Sequence, residues 1–349
     1  MWYRRRMPNA YISGTGFYVP PRVVTNDQLA SEYGIDTSDE WIRPRTGIEE
    51  RRYSDEGVFT SDLAKPAAEM AIERAGLDKS DIDLIVLATL SPDCHFPGTA
   101  VYLQDRLGLA EGKDATFVPA LDIRNQCSGF VYGLSVAASM VQAGGMKNVL
   151  LVGAETHSHA LDLTTRGRNV CSLFGDGAGA VVVSATDDDR GLRAFDLGAD
   201  SRFADALCQK IWNVSNKTFM PLDEEGRGIC EPDMMWAHMD GKKVFRHAVQ
   251  RMIETLMKTC LRLELTRDDI DLFFFHQANL RINEYIAKQM GIEPDKMVHN
   301  IERYGNTTAA TIPIMLAEAE QDGRLKPGMK VAMVAFGSGF TWGSAIMDW

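Results

Sequence analysis

The fold is decided by the stretch Asp122-Ile-Arg-Asn-Gln-Cys127-Ser-Gly-Phe-Val-Tyr-Gly133, which places one cysteine at a corner of the chain. The apolar run 115–123 before it predicts a buried strand, and the small residues after it open a helical pattern that continues to about Met146. A cysteine at such a corner lies near the positive end of a helix, where the thiolate is favoured and the sulfur is nucleophilic. The alternative interpretation is that Cys127 is a small buried apolar residue, as many lone cysteines are.

The bulk composition excludes several classes of protein. The 349 residues are 45% hydrophobic, which suffices for one large core or two smaller ones. A net charge of −11 argues against a nucleic-acid binder, since a phosphate-binding surface normally needs a basic excess. No run of about 18 uncharged apolar residues occurs, so a membrane span is not expected. The six cysteines are scattered without a Cys-x-x-Cys pair, a pattern typical of reduced thiols in the cytoplasm rather than of a disulfide framework or a zinc site.

The chain repeats a local pattern in its two halves. Asp81-Ile-Asp-Leu84 and Asp269-Ile-Asp-Leu272 each follow a helical segment and precede an apolar strand and a polar corner. Alternating short strands and longer helices indicate an α/β architecture with buried strands. We therefore predict two similar halves, residues 1–186 and 187–349, separated by the turn after Thr186.

Two further pairs of segments extend this parallel. The strand predicted at 148–154 is echoed at 330–336. The strand, corner and helix that begin at 115 are echoed by 296–306 and a helix from 308 to 321. Chemistry is expected where the strand ends of both halves converge.

Residues 203–240 depart from the regular alternation of strands and helices. They are rich in tryptophan, methionine and cysteine and have no clean period: Cys208, Trp212, Met220, Cys230, Met234, Met235 and Trp236. One interpretation is ordinary core or a subunit interface. The other is a flap over an apolar substrate channel.

Three polar residues follow apolar runs at equivalent places: Cys127, His276 and Asn306. His276 stands directly after Leu272-Phe-Phe-Phe275, a strand too apolar to need it, whereas the other six histidines are interpreted as structural. Asn306 taken alone is interpreted as a helix cap. Together the three are suited to acyl transfer, because a thiolate accepts an acyl group while imidazole and amide donors stabilise an oxyanion or an enolate.

Three runs of the sequence are rich in glycine. Gly14-Thr-Gly16 and Gly175-Asp-Gly-Ala-Gly179 lack the complete dinucleotide fingerprint, so close backbone packing is predicted for both. The run Phe336-Gly-Ser-Gly-Phe-Thr-Trp-Gly343 ends the last long strand. A backbone N–H in this run is predicted to face the thiol as an oxyanion donor.

These motifs resemble the β-ketoacyl-acyl carrier protein synthase III family of thiolase-fold condensing enzymes. The likeness runs nearly end to end through five segments in family order: 37–48, 169–180, 276–282, 305–307 and 337–344. It implies an α/β thiolase-like fold, in which two similar halves form a layered α/β/α/β/α core. It also implies a homodimer.

The resemblance implies a role for each matched residue. The catalytic triad is Cys127, His276 and Asn306, with an oxyanion hole formed by the backbone N–H groups of Cys127 and Ser338. The matched positions that line the coenzyme A tunnel are Trp41, Arg45, Arg168, Gly241 and Asn279. Arg246 and Arg281 match positions that receive the acidic carrier protein, and Phe96 matches a position that reaches towards the partner's acyl pocket.

The activity implied is a decarboxylating condensation of an acyl-CoA with malonyl-acyl carrier protein, which starts fatty-acid synthesis. Acyl-CoA is a substrate, and neither a metal nor a redox cofactor is expected. The alternatives are a head-to-head acyl-CoA condensing enzyme, an acyltransferase of a secondary pathway, and a non-catalytic acyl-binding subunit. Hydroxymethylglutaryl-CoA synthase is disfavoured because no glutamate matches its catalytic base.

Three departures from the family pattern concern substrate choice. Gln126 precedes the nucleophile where the family usually has a small residue, so it is assigned to the acyl pocket. The segment before Arg168 is longer than usual, which leaves Arg166 as an alternative coenzyme A contact. Residues 203–240 are also longer than the common pattern.

Overall fold

A computed structural model describes residues 7–113, 115–211, 214, 222–230 and 232–349. The strands are β1 (Asn9–Tyr18), β2 (Val23–Thr25), β3 (Glu50–Arg52), β4 (Leu84–Ala88), β5 (Ala120–Ile123), β6 (Asn148–Glu155), β7 (Gly177–Thr186), β8 (Gly191–Ala199), β9 (Leu207–Cys208), β10 (His238–Met239), β11 (Leu272–Phe275), β12 (Lys330–Gly337) and β13 (Thr341–Asp348). The helices are α1 (Asn26–Ser31), α2 (Asp39–Thr46), α3 (Thr60–Arg74), α4 (Thr99–Arg106), α5 (Gly129–Gln142), α6 (Arg168–Cys171), α7 (Pro232–Met235), α8 (Gly241–Arg262), α9 (Leu280–Met290), α10 (Ile301–Tyr304) and α11 (Thr311–Gln321).

Two sheets with the same connectivity form the centre of the molecule. The first has the strand order β1-β7-β6-β4-β5 and the second has the order β8-β13-β12-β11. In each sheet, neighbouring strands among the first three are antiparallel, and the strands after the third run parallel to it. Phe273 in β11 forms an isolated parallel bridge with Met297. This bridge takes the position in the second sheet that β5 takes in the first. This repetition supports the predicted division into 1–186 and 187–349, which stays a prediction.

Helices and sheets alternate in five layers, as the family resemblance implies. α5 and α11 lie between the sheets and contact strands of both, while α3 and α4 cover the outer face of the first sheet and α8 that of the second. One apolar cluster fills the space between the sheets, and two others lie under the outer helices. Burying each sheet on both faces explains why its central strands are almost wholly apolar.

Two glycine runs serve close backbone packing, as predicted. A Cβ added at Gly16 would lie 2.2 Å from the carbonyl oxygen of Ala67 in α3, and one at Gly179 would lie 2.6 Å from the backbone nitrogen of Ile314 in α11. Both distances are too short for any side chain. Glycine therefore allows these helices to rest directly on the sheet.

Three predicted elements differ from those observed. The strand predicted at 115–123 forms only over Ala120–Ile123 and is partly exposed, because β5 is the edge strand of its sheet. The following helix ends at Gln142 rather than near Met146. Two residues after this end, Gly144 takes a positive φ, which does not continue a right-handed helix. The strand expected after 296 reduces to the bridge at Met297.

The segment 203–240 is described in part. Trp212 and Met220 lie outside the described residues. The strands β9 and β10, near its two ends, pair with each other, and one residue of each, Leu207 and Met239, lines the cavity that also contains Cys127. This placement supports the interpretation of the segment as a cover over an apolar channel.

Candidate active site

Cys127 lies between the end of β5 and the start of α5, in a short 3-10 turn over Gln126–Ser128. Gln126 has a φ of +46°, a left-handed conformation that is strained for a residue with a side chain. The cysteine is buried, with 8% of its surface exposed. Gly337, at the end of β12, packs against it so closely that an added Cβ would lie 3.0 Å from the Cys127 nitrogen.

His276 and Asn306 are held by their backbones at the ends of apolar elements. His276 follows β11, and its N–H donates to the Val334 carbonyl of β12 at 2.8 Å. Asn306 donates its N–H to the Leu173 carbonyl at 2.8 Å, and its Oδ1 accepts from the backbone N–H of Thr308 at 2.9 Å. Thr307 is the N-cap residue of the helical turn that follows, so the helix cap predicted for Asn306 taken alone is not formed. The bond to Thr308 uses only the oxygen of the Asn306 amide, which leaves the Nδ2 group available as a donor.

The fold brings the three predicted triad residues to the wall of one cavity. Cys127, His276 and Asn306 line a space of about 770 Å³, mouth included. The rest of the wall is mainly apolar and comprises Leu173, Phe174, Leu207, Met239, Gly241, Val244, Phe245, Ala248, Met252, Ala278, Asn279, Ile282, Phe336 and Gly337. An apolar cleft with a few converging polar groups is typical of a small-molecule site.

Burial keeps the reactive groups of this cavity neutral. It lowers the pKa of His276 to about 3, and neither ring nitrogen has a hydrogen-bond partner among the described residues. Burial, together with the carboxylate of Glu155, raises the pKa of Cys127 to about 12. The direction of this shift is opposite to the sequence-based expectation of a favoured thiolate, because desolvation outweighs the neighbouring helix end.

The side chains of α2 meet those of the segment around α6 beside the cavity. The Trp41 ring has the Arg45 guanidinium 4.8 Å and the Arg168 guanidinium 4.6 Å from its centroid. Asn279, in the cavity wall, donates to the Arg45 carbonyl at 3.0 Å. Arg166 instead donates to the Asp162 carboxylate at 2.7 Å and lines a second cavity. Of the two alternative arginines, Arg168 therefore joins the Trp41 cluster.

The remaining predicted residues occupy the surroundings of the cavity. Arg246 is exposed and directly follows the cavity-lining Phe245. Arg281 is exposed and directly precedes the cavity-lining Ile282. Gly241 lies in the wall itself. Ser338 follows Gly337, and its hydroxyl donates to the Leu207 carbonyl.

The two residues assigned to the acyl pocket lie apart from this cavity. Neither Gln126 nor Phe96 is among its lining residues. Phe96 is 80% exposed.

Sequence reasoning missed a set of buried polar residues behind the cavity wall: Glu155, His157 and Thr308. The Glu155 carboxylate is fully buried and accepts from the backbone N–H groups of Leu90 and Ser91 at 3.1 Å. His157 Nε2 lies 2.6 Å from Thr308 Oγ1. The signal was available, because Glu155 and His157 form a polar corner after an apolar strand, as His276 does.

In the part of the chain that the structure describes, no group of three His, Cys, Asp or Glu side chains is placed to hold a metal ion. None of the helices described is both long and apolar enough to cross a membrane.

The five-layered core and its apolar cavity define a thiolase-fold condensing enzyme. Sequence models of 3-oxoacyl-(acyl carrier protein) synthase III match residues 121–201, and those of its C-terminal part match 260–349. The β-ketoacyl-(acyl carrier protein) synthase III of Clostridium perfringens is 42% identical over 98% of this chain and 99% of its own.

Solved structures give the same result. The 3-oxoacyl-(acyl carrier protein) synthase III of Aquifex aeolicus superposes with a TM-score of 0.84 at 38% identity, over 97% of this chain and 100% of its own. A priming β-ketosynthase of a polyketide biosynthetic pathway has a TM-score of 0.85 at 30% identity, over 99% of this chain and 98% of its own. The chain belongs to the β-ketoacyl-acyl carrier protein synthase III family, whose members are condensing acyltransferases of fatty acid biosynthesis.

Proposed function

We propose that this protein condenses an acyl-CoA primer with malonyl-acyl carrier protein, with loss of CO2, through an acyl-cysteine intermediate on Cys127. The observation that carries the proposal is the presence of Cys127, His276 and Asn306 on the wall of one apolar cavity. The cycle uses acyl-CoA as a substrate and requires no cofactor.

In the first half-reaction the Cys127 sulfur attacks the thioester carbonyl. The backbone N–H groups of Cys127 and Ser338 donate to the developing oxyanion, and coenzyme A leaves as the free thiol. The close contact of Gly337 with Cys127 supports this assignment, because it brings the end of β12 beside the nucleophile.

Coenzyme A itself is expected to extend from the cavity to the surface. Gly241 and Asn279 lie in the cavity wall, where the pantetheine arm passes. The adenine and the phosphates meet Trp41, Arg45 and Arg168, since arginines bind phosphates and an indole stacks on a base.

In the second half-reaction malonyl-acyl carrier protein docks on Arg246 and Arg281, which are exposed beside cavity-lining residues. A neutral His276 and the Asn306 amide donate hydrogen bonds to the enolate that forms as CO2 leaves. The carbanion then attacks the acyl-Cys127 thioester. Loss of CO2 moves the negative charge of the malonyl carboxylate onto the enolate oxygen, where the donors of His276 and Asn306 stabilise it.

The acyl pocket is proposed to be completed by a second copy of the chain. Phe96 is 80% exposed and lies outside the cavity wall of its own subunit, as expected for a residue that reaches into the partner of a homodimer. Gln126, directly before the nucleophile, is expected to limit the primer from the other side.

The test is acylation followed by intact mass spectrometry. Incubation with acyl-CoAs from acetyl to long-chain is expected to give a single acyl adduct, absent in Cys127→Ala and present in the matched control Cys94→Ala. The chain length that loads best separates fatty-acid initiation from a specialised pathway. An adduct that persists in Cys127→Ala contradicts the proposal.

The extender requires a separate measurement. The acylated protein is expected to form a β-ketoacyl product only with malonyl-acyl carrier protein. Product formation with a second acyl-CoA instead would indicate head-to-head condensation.

A further inference from the structure

A pair of hydroxyl groups connects the turn of the nucleophile with the turn that carries the second oxyanion donor. Ser128 Oγ lies 2.8 Å from Thr341 Oγ1, although the two residues are 213 positions apart in sequence. The Thr341 hydroxyl in turn donates to the Ser338 carbonyl at 2.9 Å. Ser128 directly follows Cys127, so this path joins the two residues whose backbone N–H groups are proposed to bind the oxyanion.

Ser128 closes the turn around Cys127. It is fully buried, and its Oγ accepts from Asn125 Nδ2 at 2.9 Å. The Asn125 carbonyl oxygen lies 3.0 Å from the same hydroxyl. These contacts span Cys127 and also Gln126, whose positive φ is strained. The position of the Cys127 N–H therefore depends on where Ser128 is held.

The Ser128 hydroxyl does not act as an ordinary helix cap. Ser128 is the N-cap residue of α5, a position where a serine side chain usually accepts from the N–H two or three residues later. Among the described residues it makes no such bond. The hydroxyl faces Thr341 at the start of β13 instead, so its use lies in the contact between the two turns.

The hydroxyl protons give this path a direction. Each hydroxyl has one proton to donate. The Asn125 amide donates to Ser128, which donates to Thr341. Thr341 then donates to the Ser338 carbonyl. If the Ser128 proton went to the Asn125 carbonyl, the Thr341 proton could serve only one of its two neighbours. Only the first arrangement makes all three contacts of the path at once.

Ser338 is held at a second point. Its hydroxyl donates to the Leu207 carbonyl of β9. Both the carbonyl and the side chain of Ser338 are thus fixed, and the direction of its N–H is fixed with them. An oxyanion hole needs donors about 2.7–3.1 Å from the developing oxygen, so the separation of the two N–H groups must be closely set.

We propose that Ser128 and Thr341 are positioning residues that set the separation of the Cys127 and Ser338 N–H groups, an inference that rests on the function proposed above. Neither is among the cavity-lining residues that the structure describes, so both act through the backbone of their neighbours. The pair serves the two acyl-transfer steps, because each passes through an oxyanion at the acylated or attacking cysteine. It does not serve the loss of CO2, whose enolate is stabilised by the other two members of the triad.

The first experiment measures acyl transfer and decarboxylation separately in Ser128→Ala. Acylation of Cys127 by acyl-CoA is followed by rapid quench and intact mass spectrometry, and CO2 release from malonyl-acyl carrier protein is followed without a primer. Removal of an oxyanion donor costs about 100- to 1,000-fold, and a displaced donor costs less, so acylation is expected to slow about 10-fold. The rate of CO2 release is expected to stay the same.

Ser135→Ala is the matched control. Ser135 is a buried serine of α5 whose hydroxyl also contacts the carbonyl three residues earlier, that of Tyr132, at 2.7 Å. Both rates are expected to be normal in this variant. Normal acylation in Ser128→Ala overturns the proposal. An equal slowing of acylation and CO2 release in Ser128→Ala also overturns it, because it indicates a general loss of cavity structure.

Thr341 tests the other end of the path. Thr341→Val removes the hydroxyl at a similar shape and is expected to slow acylation as Ser128→Ala does. Thr341→Ser restores the hydroxyl and is expected to recover the lost rate. Adding Ser128→Ala to Thr341→Val should slow acylation no further, because both changes break the same path. Additive losses in the double variant, or no recovery in Thr341→Ser, overturn the proposal.

The unmodified protein separates failure of this inference from failure of the proposed function. If it accepts no acyl group from any acyl-CoA, the proposed function is contradicted and the inference falls with it. If it is acylated on Cys127 and Ser128→Ala is acylated at the same rate, only the positioning role of the hydroxyl pair is contradicted.

Discussion

At the scale of single residues, burial disfavours the charged forms of the reactive groups in the cavity. Burial raises the pKa of Cys127 and lowers that of His276, so a thiol and a neutral imidazole face the same apolar space. Such groups avoid the cost of a buried charge.

The contact between Gly337 and Cys127 leads to a first prediction. A Cβ at Gly337 would meet the Cys127 nitrogen and Cβ at 3.0 Å, so Gly337→Ala requires these atoms to shift slightly. A misplacement of about 1 Å costs about 100-fold in rate, so for this smaller shift we expect a loss of about 10-fold in the burst of free coenzyme A. Gly145→Ala is the control, because its added Cβ meets nothing closer than 3.9 Å. A normal burst in Gly337→Ala would contradict the close packing described.

Glu155 leads to a prediction about stability and pH. Burial raises its pKa from 4.5 to about 7 in the folded protein, so the folded state binds this proton more tightly than the unfolded state does. Stability is therefore lost as pH rises from 4.5 to 7, by up to about 3 kcal/mol. The unfolding free energy of Glu155→Gln, relative to the unmodified protein, is expected to rise over this range in urea titrations. The exposed Glu284→Gln should show no such trend.

At the scale of elements, the cavity is assembled from the ends of strands and helices that are distant in sequence. β11 and β12 carry His276 and Gly337 to the turn before α5, and the same edge receives Asn306. The sequence predicted His276 because a polar residue directly after an apolar strand has few structural reasons to be there. His157 lies two residues after the end of β6, and from the sequence it is interpreted as structural.

The arrangement of α2 and α6 leads to a prediction that separates two arginines. Arg168 stacks on Trp41, whereas Arg166 pairs with Asp162. A hydrogen bond from Arg168 to a coenzyme A phosphate is worth about 1.5–3 kcal/mol, so Arg168→Ala should raise the KM for acyl-CoA about 10- to 100-fold. Arg166→Ala should leave this KM nearly unchanged. If steady-state kinetics instead showed a larger rise in this KM for Arg166→Ala than for Arg168→Ala, the coenzyme A contact would be assigned to Arg166.

At the scale of the whole molecule, one edge of the first sheet remains uncovered within the described chain. β5 is the last strand of its sheet, and it is accompanied by the exposed apolar residues Phe96 (80%), Phe117 (84%) and Leu121 (40%). An unpaired strand edge with exposed apolar side chains is a surface at which a second copy can pair. This edge is where we place the proposed homodimer contact.

The predicted dimer can be tested by sedimentation. The unmodified protein is expected to sediment as a dimer at micromolar concentration, and Leu121→Asp should shift it towards monomer, because a carboxylate would be buried in the interface. Met257→Asp, at a 59% exposed position on α8, is the matched control. A dimer that dissociates in Met257→Asp but not in Leu121→Asp would place the interface elsewhere.

The sequence by itself determined the α/β alternation, the internal repeat and the polar corners at Cys127, His276 and Asn306. These follow from local patterns, since apolar runs must be buried and polar residues at their ends must have a partner or a function. The tertiary structure alone decided three other features: that β5 is an edge strand, that Arg168 rather than Arg166 meets Trp41, and that burial raises the pKa of the Cys127 thiol. These depend on which surfaces meet and how deeply a group is buried, and neither is encoded in residues adjacent along the chain.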